Sequence, residues 1–176
     1  MKQKLIPHTN IDDISIVANF EQKENHLYLS FSVKGDIDNY IFPSPSKVKR
    51  ADELWKATCF ELFLAHGDSK EYYELNISPS LAWNFYYLKD YRANVQEVKL
   101  SSQITLHTDK EKNSYTIECK LEGFDFKKFD TYNITAILLT QKEERTFWSL
   151  KPMKNIPDFH NREYFLKHQL DKINLI

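Results

Sequence analysis

Two glutamates on neighbouring predicted strands have the clearest potential for chemistry. Glu61 lies in the alternating segment ATCFELFLA, and Glu74 lies in the alternating segment EYYELNIS that follows it. If the connecting turn is centred on Gly67 and Asp68, the two carboxylates lie directly opposite each other on one face of an antiparallel pair. Like charges in that position are destabilising, so this register predicts a group that compensates them.

Four kinds of group could compensate the predicted pair. They are a cation such as Arg92 or Lys56, a bound metal ion, a proton shared between the two carboxylates, or a ligand whose hydroxyls donate to both. The competing interpretation is that the register differs by two residues, or that the face is solvated and each glutamate reaches its own lysine. Strand geometry by itself favours neither interpretation.

Aromatic and amide side chains near the glutamates favour the binding of a saccharide. Tyr72 and Asn76 share the face of Glu74, and a following segment carries Trp83 and ends at Arg92. Sugars stack their C–H surfaces on aromatic rings, while carboxylates and amides bind adjacent hydroxyls. We therefore predict that a saccharide or other polyhydroxylated molecule binds at a face formed by Glu61, Glu74, Asn76, Tyr72, Trp83 and Arg92.

Two other interpretations of this region remain open. Each aromatic residue taken singly could pack in the core, and an exposed aromatic sheet face built on Tyr72 and Trp83 could instead bind a protein partner or a second copy of the chain. Opposed glutamates could also act as the acid and base of a retaining glycosidase, whose carboxyl groups lie roughly 5 to 5.5 Å apart. The sequence shows no loops dedicated to a substrate cleft, so we expect binding rather than catalysis.

A cysteine nucleophile is also disfavoured. Cys59 could meet His160 through space, but an unexposed strand thiol is usually inert, and no basic motif nearby would lower its pKa. Cys59 and Cys119 both lie in alternating segments and are the two cysteines of the chain, so we expect free thiols. We assign no catalytic residue.

The elements that position these residues are strands. Period-two alternation recurs along the chain, with turn signals at regular spacing, and it predicts a single all-β domain over residues 1–176. The predicted architecture is a two-sheet antiparallel β-sandwich, jelly-roll or immunoglobulin-like. Its predicted strands cover residues 14–20, 26–34, 57–65, 71–78, 83–88, 100–108, 114–122, 133–141 and 145–150.

Three segments carry further expectations. The apolar run around Ile137 and Leu138 predicts a central strand that is covered on both faces. Residues 35–53 are rich in turn formers and predict a long loop, and residues 162–170 could form a short helix or an edge strand.

Charge and hydropathy exclude several partners. The 24 basic and 25 acidic residues are interspersed and give a net charge of -1, so no long-range field would attract nucleic acid or anionic lipid. The first residues lack the apolar region of a secretory signal, and no run of about 18 apolar residues occurs. We therefore expect a cytoplasmic protein that binds neither nucleic acid nor membrane.

An ordered series of segments resembles a known family. In chain order these are LWKATCFELFL, YYELNISPS, WNFYY and DYR between residues 54 and 92, then FWSLKP and PDFH between residues 147 and 160. The series resembles stand-alone bacterial DOMON-like proteins related to type 9 carbohydrate-binding modules, and it spans most of residues 50–165. The resemblance implies a β-sandwich whose relatives bind sugars or, in other branches, haem.

The resemblance also implies candidate ligands and cofactors. Sugar-binding relatives hold a sugar between two tryptophans, and this chain offers Trp55, Trp83 and Trp148, so Trp148 joins the predicted site. Calcium occurs in that branch, and Asp36, Asp38 and Asn39 could supply oxygen ligands, although a solvated turn explains them equally well. Haem-binding relatives use a methionine and a histidine, here Met153 and His160, but the residues around them show no pocket signature and we expect no haem.

Overall fold

The protein folds into two antiparallel sheets. The computed structural model describes residues 2–23, 25–101, 104–126 and 128–167. Its strands, in chain order, are β1 (Lys2–Lys4), β2 (Ile6–Pro7), β3 (Ile14–Lys23), β4 (His26–Gly35), β5 (Tyr40–Ile41), β6 (Lys49–Arg50), β7 (Cys59–Ala65), β8 (Tyr72–Ile77), β9 (Ala82–Asp90), β10 (Ala93–Glu97), β11 (Ile104–Glu111), β12 (Ser114–Glu122), β13 (Thr131–Thr140), β14 (Arg145–Ser149) and β15 (Leu166–Lys167).

Hydrogen bonding arranges these strands in a small sheet and a large sheet. The small sheet has the order β1-β3-β4-β12-β11, and the large sheet has the order β10-β9-β8-β7-β13-β14-β2. Strands β5 and β15 add to β13, and β6 pairs with β9 in parallel, the one parallel pairing among the described strands. The predicted all-β, two-sheet antiparallel sandwich is confirmed.

Short helices complete the described part of the chain. They are single 3-10 turns at Ile37–Asn39, Leu54–Lys56 and Arg162–Tyr164. None of the helices within the described residues has the length and apolar character needed to cross a membrane.

The core lies between the two sheets and follows the alternation of the sequence. In β4 the buried side chains are Leu27, Leu29, Phe31 and Val33, and the intervening Tyr28 points to solvent. The facing strand β7 contributes Phe60, whose ring centroid lies 4.7 Å from that of Phe31. The small sheet therefore has one buried face and one solvated face, as the pattern predicts.

The large sheet differs because both of its faces are buried over much of their area. Every residue of β7 is buried, and in β13 the neighbours Ile137 and Leu138 are buried on opposite faces. A second apolar cluster covers the outer face, where Phe63 and Leu88 pack against Phe159 and Phe165. The predicted central strand is confirmed, and residues 150–165 form a covering segment over this face.

Some elements depart from the expectations. The predicted loop 35–53 contains β5 and β6, and the predicted strand 100–108 is found at Ile104–Glu111. The tail 162–170 is a 3-10 turn followed by a two-residue strand, and residues 168–170 lie outside the described residues. Strands β1, β2 and β10 were not predicted because they are short edge strands, and β10 exposes most of its side chains.

Candidate ligand-binding site

A cleft of about 530 Å³ opens on the outer face of the large sheet, beside the covering segment. Its volume falls in the range of small-molecule sites, roughly 300 to 1,000 Å³. Its polar and charged lining comes from Asp52, Glu53, Glu61, Glu74, Asn76, Arg92, Arg145 and His160. Its aromatic lining comes from Trp55, Tyr86, Phe147 and Phe159.

The register that brings the floor residues together differs from the predicted one. Glu61 pairs across the ladder with Asn76, and Phe63 pairs with Glu74, so the prediction that Glu61 lies directly opposite Glu74 is wrong by two residues. The turn is centred between Asp68 and Ser69 rather than on the predicted pair, because six residues separate the two strands. A shift of two keeps every side chain on its face, so both glutamates still share one surface as diagonal neighbours.

Burial excludes a solvated face for the two glutamates. Glu61 is 2% exposed and Glu74 is 8% exposed. The hydroxyl of Thr135, on β13, donates to Glu61 Oε2 at 2.9 Å, and the amide of Asn76 donates to Glu74 Oε1 at 2.7 Å. Neither carboxylate forms a salt bridge with a cation of the described residues, so the two charges are compensated only in part.

As a result, the two carboxyls keep their protons up to a pH well above the ordinary pKa of glutamate. Burial is the largest cause and raises the pKa of both Glu61 and Glu74. The charge of Glu74 raises the pKa of Glu61 further, while the bond from Thr135 opposes the rise. The more distant charge of Arg92 stabilises both carboxylates and also opposes it.

One wall of the cleft is built on a hydrogen-bond chain through Tyr72. The backbone N–H of Arg92 donates to the Tyr72 hydroxyl at 3.1 Å, and that hydroxyl lies 2.7 Å from Nδ1 of His160. Burial lowers the pKa of His160 to about 4, and the nearby Arg92 lowers it as well, so the imidazole is neutral. A neutral imidazole has one N–H, so one of the two groups donates and the other accepts in the contact between the Tyr72 hydroxyl and Nδ1.

An ion pair fixes the same wall from outside. Arg92 donates through Nη2 to Asp158 at 3.1 Å, and the Tyr91 hydroxyl donates to the other carboxylate oxygen at 2.9 Å. Partial burial disfavours the charge of Asp158, but these two hydrogen bonds outweigh it and lower its pKa. This ion pair joins the turn after β9 to the covering segment, and it uses Nη2 of the Arg92 guanidinium.

The rim carries an exposed tryptophan. Trp55, in the 3-10 turn Leu54–Lys56, is 42% exposed, and the guanidinium of Arg145 lies 5.6 Å from its ring centroid. Nearby, Asp52 accepts the Tyr86 hydroxyl at 2.6 Å and the Asn84 amide at 3.1 Å. These bonds hold the Tyr86 ring in place as part of the lining.

The predicted site residues lie in three places: in the lining of the cleft, behind its wall, and in the core between the sheets. Glu61, Glu74, Asn76 and Arg92 line the cleft together, and Tyr72, which is buried behind the wall, positions His160 and Arg92.

Trp83 and Trp148 belong to the core instead. Trp83 is 8% exposed and is covered by the guanidinium of Arg50 at 4.2 Å from its ring centroid, and Trp148 is 1% exposed. Both belong to the core cluster between the sheets, so a pair of tryptophans cannot hold a ligand here. Because Tyr72 and Trp83 are both buried, they offer no exposed aromatic face to a protein partner.

The lining residues that were not part of the predicted site come from a loop, from two strands and from the covering segment. Trp55 and Asp52 come from the loop before β7, Tyr86 from β9, Arg145 and Phe147 from β14, and Phe159 from the covering segment. Trp55 gave the one usable signal, because a tryptophan flanked by charged residues in a loop is a candidate for exposure.

The residues considered for catalysis or for haem binding, Cys59, His160 and Met153, are engaged in contacts within the protein. Cys59 is buried, and burial raises the pKa of its thiol well above the ordinary value, with the charge of Glu61 adding to the effect. The ring nitrogen of His160 is bonded to Tyr72, and Met153 packs against the outer apolar cluster. These contacts leave Cys59 without an activating base.

The candidate calcium residues have protein partners. Asn39 donates to Asp13 at 3.0 Å, and the Asp38 carboxylate lies 3.5 Å from Nζ of Lys110. Among the described residues, no group of three or more His, Cys, Asp and Glu side chains could hold a metal ion.

The fold and the cleft define the chain as a β-sandwich with a ligand-sized cleft on one sheet face. A protein of Bacteroides uniformis ATCC 8492, provisionally described as carbohydrate-binding, has a similar structure, with a TM-score of 0.65 and 13% sequence identity over 94% of this chain and 84% of that one. A family 9 carbohydrate-binding module of Caldicellulosiruptor kristjanssonii in complex with cellotriose gives a TM-score of 0.46 at 10% identity over 85% of this chain and 72% of that one. No protein-family model matches the chain, and no curated protein does.

Proposed function

We propose that the protein binds a saccharide, or a similarly polyhydroxylated small molecule, in the cleft on the large sheet. The observation that carries the proposal is the floor of the cleft, where Glu61 and Glu74 are buried and Asn76 Oδ1 is a buried acceptor without a partner among the described residues. Buried polar groups without partners cost free energy, roughly 1 to 3 kcal/mol each, so a ligand that donates to them is stabilised. Proteins hold such unpaired groups mainly where something binds.

The rim supplies the second element of sugar recognition. Trp55 is the exposed tryptophan of the three, and its ring borders a cleft whose floor is polar. A sugar ring that stacks on Trp55 would direct hydroxyls from its edge toward the floor. The single stacking surface suits a ligand that is open to solvent on one side.

The likeness to the Bacteroides uniformis structure supports the proposal at the level of fold alone, because the sequence identity is 13%. Folds host many functions, so the residues of the cleft carry the argument and the likeness adds context. The retaining-glycosidase hypothesis rested on directly opposed glutamates, and the observed register removes that premise.

The proposal is tested with a thermal-shift screen of monosaccharides and disaccharides, followed by calorimetric titration of the hits. A ligand at 100 times its dissociation constant stabilises the fold by about 2.7 kcal/mol. We expect Glu74→Gln to abolish the shift while leaving the fold intact. Glu118→Gln is the matched control because Glu118 is exposed on the small sheet.

Fluorescence offers an independent test of the place of binding. Trp83 and Trp148 are buried, so a ligand-induced change in emission should come from Trp55 and should vanish in Trp55→Phe. A saccharide that binds Trp55→Phe and Glu74→Gln as tightly as the original protein would place its site elsewhere and overturn the proposal.

A further inference from the structure

When Glu61 and Glu74 are ionised, the free hydrogen-bonding atoms on the floor of the cleft are all acceptors. Glu61 accepts Thr135 through Oε2, and Glu74 accepts Asn76 through Oε1. The other carboxylate oxygens, Glu61 Oε1 and Glu74 Oε2, accept no hydrogen bond from any residue that the structure describes. Each residue therefore presents one uncommitted oxygen to the cleft.

Asn76 adds a third acceptor. Its side chain is 2% exposed, and its Oδ1 is buried without a hydrogen-bond partner among the described residues. Beside an ionised Glu74, which only accepts, the Asn76 amide turns its NH₂ group toward the carboxylate. That contact turns Oδ1 away from Glu74, on a side chain that lies directly across the ladder from Glu61.

We propose that this floor seats a primary ammonium group, and that the ligand of the cleft is therefore an amino sugar with a free amine. The inference rests on the proposed function and names the substrate class for the same site. An ammonium carries three N–H donors and no acceptor, and it matches three uncommitted acceptors on adjacent side chains. It also brings the positive charge that the two buried carboxylates lack.

Other occupants fit the floor less well. A hydroxyl has one donor, so it satisfies one of the three acceptors, and a neutral sugar must present three separate hydroxyls to do what one ammonium does. A calcium ion takes six to eight oxygen ligands, and the floor offers three. Of these three occupants, the ammonium group is the one that donates a hydrogen bond to all three acceptors.

The charges around the floor are consistent with a cation. Arg92 lines the cleft, but its guanidinium is bound to Asp158, and Arg145 lies at the rim over Trp55. Glu53 is paired with Lys56 at 2.6 Å. The aromatic lining adds the negative faces of rings such as Tyr86 and Phe147, which attract cations.

The raised pKa of both glutamates adds a measurable signature. In the empty protein, burial favours a proton on the pair, and an arriving ammonium replaces that proton. Binding of the protonated amine should therefore release protons into the solvent. Calorimetry in two buffers of different ionisation enthalpy measures that release, at a pH below the pKa of the amine itself.

The deciding experiment is a titration with four matched probes: glucose, glucosamine, N-acetylglucosamine and cyclohexylamine. We expect glucosamine to bind at least about tenfold more tightly than glucose and N-acetylglucosamine, because charge-assisted bonds are about twice as strong as neutral ones. Glu61→Gln should remove that preference, and Glu118→Gln should preserve it. Proton release should accompany glucosamine binding and be smaller in Glu61→Gln, where Glu74 alone has a raised pKa.

Each other outcome has a defined meaning. Equal affinities for glucose and glucosamine would overturn the ammonium inference and leave the proposed function intact. Cyclohexylamine binding as tightly as glucosamine, with glucose silent, would support the ammonium seat and overturn the saccharide function. A shift with calcium chloride that a chelator reverses, with no response to amines, would assign the floor to a metal ion, and silence with every probe would overturn both proposals.

Discussion

The hydroxyl of Tyr72 lies 2.7 Å from Nδ1 of His160, and it also accepts the backbone N–H of Arg92 at 3.1 Å. One buried phenol on the large sheet thus holds both the covering segment and the turn after β9. Arg92 has a φ of 50°, in the left-handed region that side chains rarely adopt, so the turn needs such support. This contact point and the ion pair between Arg92 and Asp158 together fix the cleft wall.

Tyr72→Phe should therefore destabilise the protein by about 1 to 2 kcal/mol, because it leaves the partly buried Arg92 N–H and His160 Nδ1 without their partner. Chemical denaturation measures the loss. Tyr28→Phe is the matched control, since Tyr28 is exposed on the small sheet and should change stability by less than about 0.5 kcal/mol. Equal stabilities of the two variants would show that water replaces the Tyr72 hydroxyl.

The stability of the protein should fall as the pH rises above the ordinary glutamate pKa of 4.5. Glu61 and Glu74 have raised pKa values in the folded state, so between 4.5 and those values the folded chain binds more protons than the unfolded chain. Their stabilising contribution is complete below 4.5 and is lost as the pH rises through the folded values. The double variant Glu61→Gln, Glu74→Gln should lose this part of the pH dependence.

Other groups make the comparison with the variant necessary. The pKa of His160 is lowered to about 4, so that residue adds stability as the pH rises toward 6.5, in the opposite direction. The difference in unfolding free energy between the protein and the double variant, measured from pH 5 to pH 8.5, cancels the contribution of His160. A difference that stays constant over this range would mean that the two carboxyls titrate normally.

Gly35→Ala should prevent stable folding. Gly35 has a φ of 128°, and an added Cβ would lie 2.1 Å from the backbone oxygen of Asp13. That oxygen is held in place because it accepts the N–H of Asp36 at 3.0 Å. Gly67→Ala is the control, because its φ is 48° and the nearest atom to an added Cβ is 4.0 Å away.

We expect the Gly67 variant to lose only about 1 kcal/mol, the cost of a left-handed residue that has a side chain. Soluble expression and thermal unfolding distinguish the two variants. A Gly35→Ala protein as stable as the Gly67 variant would show that the chain near Asp13 can shift.

Arg162→Met should loosen the covering segment without unfolding the sandwich. Arg162 donates to the backbone oxygens of Ser69 at 2.8 Å and Gly67 at 2.9 Å, and its guanidinium lies 4.7 Å from the ring centroid of Phe165. Methionine keeps the apolar stem and loses the donors. Hydrogen exchange should become faster for residues 157–165 and stay unchanged in β3 and β4.

Lys70→Met provides the control for that measurement, because Lys70 is an exposed residue of the same loop. If both variants exchange alike, the hydrogen bonds of Arg162 do not hold the segment.

The sequence predicts faces more reliably than it predicts register. Period-two alternation is local, so it correctly placed Glu61, Glu74 and Asn76 on one side of the sheet. The pairing of β7 with β8 depends on how the six intervening residues turn, and the assumed tight turn was too short. Because of that error, the prediction paired Glu61 with Glu74 instead of its observed partner Asn76.

The positions of the tryptophans could not be derived from alternation. Trp83 lies opposite Ile77 and Trp148 opposite Ala136, both on core positions of the large sheet. Which face of β9 and β14 points inward follows from long-range pairing, which the sequence does not display. Trp55 reaches the cleft from a turn before β7, where nearby charged residues indicate exposure but do not indicate which cleft the ring lines.

If the cleft binds the proposed ligand, the covering segment should couple ligand affinity to a local folding equilibrium. Phe159 and His160 line the cleft from a part of the chain that is distant in sequence from β7 and β8. The cleft is complete only in molecules whose segment is docked, so the apparent affinity is reduced by the fraction in which it is not. By the same linkage, a bound ligand should stabilise the docked segment over Phe63, Tyr72 and Leu88. The ligand should thereby keep covered an apolar sheet face that would promote aggregation if the segment undocked.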